Sequence, residues 1–215
     1  MTLAQPLLIL GTGAFAEEVA DLVAACEGYT LCGFVENRDR SRCDDRLLGM
    51  PVHWVDDAAG TAATHEVVCA IGTTTRRGFV DQAAALGFRF ASLRHPSAIV
   101  APSAEALPGT ILGAAVVVGA HTRIGAHTIL NRGVMIGHHT RVGECVTVSP
   151  GANVAGRVTV HDGAYVAMGA IVLEDLTIGA GSLVAAGSVV TRDVPERTQV
   201  LGTPARVVRE GIEPR

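Results

Sequence analysis

From Val100 to Val190 every sixth residue is aliphatic, sixteen positions in unbroken phase with one alanine, Ala106, among them. A helix repeats its apolar face every 3.6 residues and a half-buried strand every second residue, so neither sustains a strict period of six over such a length. Short-period self-similarity predicts a solenoid, and a hexapeptide period predicts a parallel β-helix. Three hexads close one triangular coil of eighteen residues, so sixteen hexads make about five coils. Residues eighteen apart then stack coil on coil, which supplies a ruler for the rest of the chain.

The other positions of the repeat indicate how a coil turns. Four residues after each aliphatic stands a small or β-branched side chain, as in Thr122, Thr128, Val134, Thr140, Ala152, Ala164 and Ser182, suited to a cramped inner corner. The position directly after the aliphatic is Gly113, Gly119, Gly125, Asn131, Gly137, Gly143 or Gly179, types expected to accept the positive φ of a tight turn.

A different pattern precedes the solenoid. Leu7–Leu10 reads as a strand, Gly11-Thr12-Gly13-Ala14-Phe15-Ala16 as a turn, and Glu17 to about Ala25 as an amphipathic helix. Further strands are expected at Thr30–Val35, near Pro51–Val55, at Glu66–Ile71 and at Arg89–Leu93, with a helix from Arg77 to about Leu86. Strands alternating with helices predict a small Rossmann-like α/β domain of parallel type over residues 1–95. The β-helix domain and C-terminal tail then occupy 96–215, with the boundary at His95-Pro96, where proline forces an extended backbone. A glycine turn that opens a helix is where such a sheet binds phosphate groups, and Glu36, at the end of the second strand, stands where a carboxylate meets a ribose hydroxyl. The unit is about half a two-lobed dinucleotide domain, so a redox dinucleotide is not the expected ligand.

Composition narrows the function classes. The mean hydropathy of +0.35 comes from Ala, Val and Gly in short repeats, with no apolar run long enough to span a membrane. Leu7-Leu8-Ile9-Leu10 lacks a cationic lead-in and stops at Gly11, so it reads as a buried strand and not as a signal peptide. A net charge of −4 without basic clusters argues against nucleic acid or an anionic membrane as partner. The five cysteines, Cys26, Cys32, Cys43, Cys69 and Cys145, form no C-x-x-C pair and read as small buried residues of a cytoplasmic protein.

Taken together, the glycine turn, Gly33-Phe34-Val35-Glu36, Ala70-Ile71-Gly72 with Arg77, His95-Pro96-Ser97-Ala98, the hexads and Gly202-Thr203-Pro204-Ala205-Arg206 resemble the NeuD/PglD-like sugar acyltransferases. The resemblance implies transfer of acetyl from acetyl-CoA to an amine or hydroxyl of a sugar, often a nucleotide-linked one. It also implies a left-handed helix and a homotrimer with active sites between subunits. The family's catalytic histidine matches His138, in Asn131-Arg132-Gly133-Val134-Met135-Ile136-Gly137-His138-His139 ahead of Ser149-Pro150-Gly151-Ala152, with the role of general base. The ruler sets Gly156 above His138, and there a bare backbone N–H can meet the oxyanion of a tetrahedral intermediate. The resemblance points to the same glycine as acetyl-binding. Gly11, Gly13, Ala14, Phe15, Glu36, Asn37, Gly72 and Arg77 are the expected sugar-nucleotide contacts. Small residues at Ala186, Gly187 and Pro204 leave a groove for an extended pantetheine arm, with Arg206 and Arg209 toward the phosphates.

The chain departs from the family at the catalytic corner. Gly137 replaces the preceding acid, His139 the following Asp, Thr147 a second histidine, and Phe15 the histidine of the glycine turn. Glu144 or a neighbouring subunit is then left to supply a carboxylate for His138. The ruler also stacks His139 on His121, which raises a zinc enzyme as an alternative, but no H-x-x-x-x-H pair is present and no metal is expected. His53, His65, His127 and His161 read as plain surface or loop residues. A noncatalytic β-helix whose α/β domain binds a sugar nucleotide is the other alternative.

Overall fold

The sequence Leu7-Leu8-Ile9-Leu10 is apolar at both parities, and in the folded chain all four residues are at most 2% exposed, as a strand covered on both faces must be. The structure, a computed structural model, describes residues 4–215. It divides into two compact units: the chain up to Gly72 with Arg76–Arg94, and Thr73–Thr75 with His95–Arg215.

In the first unit the strands are β1 (Gln5–Leu10), β2 (Tyr29–Glu36), β3 (Arg46–Leu47), β4 (Met50–Trp54), β5 (Glu66–Cys69) and β6 (Arg89–Phe90), in spatial order β3-β4-β2-β1-β5-β6. All neighbours are parallel except β3 and β4. This is the Rossmann-like arrangement with β1 at the centre. Helix α1 (Ala14–Ala25) buries Ala16, Val19 and Val23, while Phe79, Val80 and Ala83 of α3 (Arg77–Ala85) close over Leu8, Leu10, Val35 and Val67. The short α2 (Val55–Ala58) adds Val55 and Ala58 to that layer.

Several boundaries differ from the sequence expectation. Helix α1 begins at Ala14, not Glu17, because Gly13 in extended conformation is its cap and Ala14-Phe15 are already helical. The strand expected at Arg89–Leu93 is two pieces, Arg89–Phe90, paired with Glu66 and Val67 of β5, and Leu93–Arg94. Of the five cysteines only Cys69 and Cys145 are buried. Cys26 closes α1, Cys43 lies in the 3-10 turn Arg40–Asp44, and Cys32 sits on β2 beside the Leu7/Leu8 register shift, so all three remain half-buried.

The second unit is the left-handed parallel β-helix. Two-residue strands recur at every hexad from Ile99–Val100 to Val189–Val190, and the second residue of each is the periodic aliphatic. From Leu112 to Val190 these side chains are at most 3% exposed and form one continuous core. Each buried Val, Leu or Ile contributes roughly 1.5–3 kcal/mol. The three sheets pair residues eighteen apart, as in Met135↔Asn153, Arg141↔Thr159 and Thr147↔Tyr165. At the inner corners Thr122, Thr128 and Thr140 are buried, and their hydroxyls donate to Gly137 O, Gly143 O and Ala155 O at 2.7, 2.8 and 3.0 Å.

The glycines after the aliphatics do not carry the positive φ. That conformation falls two residues later, at Ala115, His121, His127, Gly133, His139, Cys145, Gly151, Arg157 and Asp175 among others. The glycines are there for room: a Cβ at position 125 would lie 2.4 Å from the Gly143 carbonyl, and one at 137 would lie 2.4 Å from the Gly156 nitrogen. The next coil's backbone occupies the space a side chain needs. His127 is half-buried over Gly109, not a plain surface residue. After the last coil, Gln199–Gly202 and Ala205–Arg209 form an antiparallel hairpin tied back by Gly202 N donating to Ser188 Oγ at 3.1 Å. Among the described residues no helix is long and apolar enough to cross a membrane.

These two kinds of glycine respond differently to alanine. Gly125→Ala is expected to cost about 3 kcal/mol by overpacking. Gly151→Ala, at φ +69° but with nothing within 4 Å of the added carbon, is expected to cost about 1 kcal/mol of left-handed strain. Urea denaturation of both variants checks the order, and equal costs would refute the crowding explanation.

Candidate functional site

Two places concentrate polar chemistry, one in each unit. In the α/β unit, β1 ends on Gly11, whose φ of +112° turns the chain into α1, and β2 ends on Glu36 beside it. A cleft of about 440 Å³ opens there, lined by Gly11, Thr12, Gly13, Ala14, Phe15, Glu36, Asn37, Arg38, Asp39, Arg42, Ala70, Ile71, Gly72 and Phe79. Of the expected sugar-nucleotide contacts, Arg77 alone is not among the lining residues; it opens α3 with its side chain exposed. No side chain caps the start of α1; the Ala16 amide donates back to Gly13 O at 2.8 Å, and the Ala14 and Phe15 amides precede it at the glycine turn.

Glu36 is 7% exposed and heavily engaged. Its Oε1 accepts from Asn37 N at 2.9 Å and Arg38 N at 2.8 Å, and Oε2 accepts from the Thr12 hydroxyl. Thr12 in turn accepts from Arg42, whose Nη1 lies 2.9 Å from Thr12 Oγ1 and 3.2 Å from Thr12 O. Burial by itself pushes the Glu36 carboxyl up. The hydrogen bonds from Thr12 and from the Arg38, Asn37 and Asp39 amides outweigh it and hold the group below the ordinary carboxylate range. Glu36 thus locks the glycine turn to the loop after β2, and Arg42 extends that lock toward solvent. Sequence reading passed over Thr12 and Arg42, because only the 3-10 turn Arg40–Asp44 brings the guanidinium back over the glycine turn.

In the β-helix, His138 and His139 follow Gly137 at the corner after strand Met135–Ile136, and both are exposed. His138 sits on Gly156: a Cβ at position 156 would lie 2.8 Å from both Cε1 and Nε2 of the imidazole. The Gly156 N–H makes no hydrogen bond within the described chain, while its carbonyl accepts from Asp175 N. The group that meets His138 Nδ1 is the neighbouring imidazole, with Nδ1 of His139 at 3.1 Å and the rings edge to face. His139 lies over His121 with ring centroids 4.9 Å apart. One coil further on, Arg157 holds Asp175 by two bonds, 2.6 and 2.7 Å. Those hydrogen bonds keep the Asp175 carboxyl below its ordinary value, with a smaller pull from nearby His138. The Glu144 amide donates to Asp162 Oδ1 at 2.8 Å, and Thr147 is buried. Among the described residues no group of three or more His, Cys, Asp or Glu side chains is disposed to hold a metal ion.

Ala186 and Gly187 are exposed on a late corner, and Pro204 and Arg206 lie at and after the turn of the C-terminal hairpin. Arg206 also lines a small hollow of about 170 Å³ with Val190, Arg192, Asp193, Val194, Val200, Ala205 and Val207.

Residues 6–82 match the model of the PglD N-terminal domain. Over almost the whole length, the chain is similar to a solved perosamine N-acetyltransferase from Caulobacter crescentus in complex with CoA and GDP-perosamine. That match has 31% identity over 97% of this chain and 99% of the other, with a TM-score of 0.89. It is also similar to the acetyltransferase domain of PglB from Neisseria gonorrhoeae in complex with acetyl coenzyme A, at 29% identity over 96% and 100% of the two chains and a TM-score of 0.86. WeeI from Acinetobacter baumannii matches at 25% identity over 95% and 100%, also with a TM-score of 0.86. A comparison by sequence with curated proteins gave no match. The chain belongs to the NeuD/PglD-like family of sugar acetyltransferases.

The Glu36 lock has a measurable pH signature. A carboxyl whose folded pKa lies below its unfolded value stabilises the fold above the unfolded pKa, and that stability is lost as pH falls through the folded pKa. Glu36→Gln is therefore expected to lower stability at pH 7 by about 1–3 kcal/mol. The gap between wild type and variant should close on acidification below the ordinary glutamate range. A difference independent of pH in urea titrations would refute the assignment.

Proposed function

We propose that the chain transfers acetyl from acetyl-CoA to an amine or hydroxyl of a nucleotide-linked sugar, by direct attack with His138 as general base. The observation that carries this reading is the seat of the His138 ring on Gly156, an imidazole beside an unbonded backbone N–H at one corner. The acceptor nitrogen or oxygen attacks the thioester carbon as Nε2 of His138 takes its proton. The carbonyl oxygen becomes an oxyanion toward which Gly156 N–H donates. The carbon–sulfur bond then breaks, and the thiolate leaves with that proton as the CoA thiol. A positioned base contributes roughly 10²–10⁴ in rate, and one oxyanion donor about 10²–10³.

Each domain has its part in this reading. The 1–95 domain holds the sugar nucleotide in its cleft, with phosphates at the uncapped start of α1 against Gly11, Gly13, Ala14 and Phe15. Glu36, whose Oε2 is met by the Thr12 hydroxyl alone, is the carboxylate offered to a ribose hydroxyl, with Asn37 and Gly72 alongside. The 96–215 domain carries the chemistry, and the pantetheine arm follows Ala186 and Gly187 toward Pro204 and Arg206. The CoA and GDP-perosamine complexes of the similar Caulobacter protein support both ligand classes.

Assembly follows the same logic. Ile99, Val117, Met135 and Ile171, interrupted by Asn153, stand outward along one face of the helix, the four apolar residues 37–65% exposed, whereas the face beginning at Glu105 carries Arg123, Arg141, Thr159 and Thr177. An apolar stripe of this kind is covered by further copies of the chain, and a homotrimer brings a neighbour to the corner where His138 follows Met135. Dependence on acetyl-CoA and the free cysteines fit the cytoplasm.

Thiol release from acetyl-CoA with a panel of nucleotide aminosugars tests the activity. His138→Ala is expected to lower kcat by at least about 100-fold. Gly156→Ala is expected to lower it by about 10- to 100-fold, because the new methyl group displaces the imidazole, while urea stability stays near wild type. Unchanged turnover in His138→Ala sinks the mechanism, and no thiol release with any acceptor favours a binding scaffold.

A further inference from the structure

In this chain the residue after the proposed base is a second imidazole, and its placement gives it a specific task. Nδ1 of His138 and Nδ1 of His139 are 3.1 Å apart. At that distance two lone pairs repel and two N–H groups collide, so one nitrogen carries a hydrogen and the other accepts it. We propose that His139 is a positioning residue that accepts the Nδ1–H of His138, and so keeps Nε2 of His138, the atom over Gly156, bare and able to take a proton. The proposal rests on the reading of His138 as the base.

The placement of the His138 ring fits this direction of the bond, because Nδ1 meets His139 while Nε2 is the atom seated over Gly156. His139 shares a column of residues eighteen apart with His121 below and Arg157 above. Arg157, in register one coil above His139, has its guanidinium held by Asp175 through two bonds, so that pair carries no net charge. The groups facing His139 are thus His138 on its own corner, His121 from the preceding coil, and the Arg157–Asp175 pair from the following one. His138 belongs to the adjacent column, between Ala120 and Gly156. Which ring nitrogen of a histidine carries the hydrogen is set by the partner of the other nitrogen, and a wrong tautomer leaves a base in place but occupied.

Backbone conformation supplies a clean test. His139 has φ +57°, where Gly and Asn are both at ease, so neither substitution strains the corner. Asn places its side-chain oxygen on the same branch, one bond beyond Cγ, as Nδ1 of histidine, and it accepts a hydrogen bond but does not titrate near neutrality. His139→Gly is expected to lower kcat by roughly 10- to 100-fold with the KM values for acetyl-CoA and the sugar nucleotide within about twofold. His139→Asn is expected to restore kcat to within about threefold of wild type. Nitrogen-15 NMR of labelled histidine, with His138 assigned by its loss in His138→Ala, should show a protonated Nδ1 and a bare Nε2 in the wild-type protein. In His139→Gly the same signals should shift to the Nε2–H form that free imidazole side chains prefer. An Nε2–H tautomer at His138 in the wild type, or wild-type kcat in His139→Gly, overturns the proposal. Failure of the base reading appears separately, as undiminished turnover by His138→Ala.

Discussion

Parallel pairing that sets each residue beside the one eighteen further on is the constraint on which the β-helix depends. Each two-residue strand is far too short to persist alone, and it exists because backbone N–H and C=O groups on both of its edges are met by the coils before and after. The aliphatic at every sixth position fills the interior of the coil, so a slip in register turns buried Val and Ile side chains out into solvent. The crowded glycines serve the same register. Coils stack so closely at Gly125, Gly137 and Gly143 that only a hydrogen fits between one backbone and the next.

That stacking also makes the chemistry of the His138 corner. Consecutive residues leave the corner in different columns: His138 is in one with Gly156, and His139 is in the next with His121 and Arg157. The left-handed conformation at His121, His139, Arg157 and Asp175 is an uncommon state for residues with a Cβ, and at this corner it repeats four times in one column. Polar side chains are thereby brought within bonding distance although they are far apart in sequence. Neither sequence neighbour of His138 is a carboxylate: Gly137 precedes it, and His139, which follows, meets its Nδ1.

The cleft of the α/β unit follows a similar principle with different parts. A buried carboxylate is tolerated only when its oxygens are met, and Glu36 is met by successive amides and by the Thr12 hydroxyl. The loop after β2 and the glycine turn after β1 are tied by the same side chain, so the floor of the cleft is set before any ligand arrives. Arg42 then adds positive charge at its rim.

Periodicity determined the solenoid, its coil length and the stacking of Gly156 on His138 and of His139 on His121, because a repeat of strict length has a single register. Strand–turn–helix order likewise determined a small parallel α/β unit, whereas the strand order with β1 inside the sheet came only with the fold. The conformations within the repeat were not legible: a glycine required for room and a glycine required for φ look alike in one dimension, and Asp175 or Cys145 in a left-handed turn looks like any surface or core residue. Nor were the partners of Glu36 and His138 legible. Thr12 and Arg42 are separated by thirty residues, and they meet only when the 3-10 turn folds back. Sequence reasoning left Glu144 or a neighbouring subunit to supply a carboxylate for His138; within the described chain its Nδ1 meets the adjacent imidazole, since the left-handed turn at His139 directs that ring back beside the first. A period places residues along columns, and only the backbone torsions of each corner decide which side chains within neighbouring columns touch.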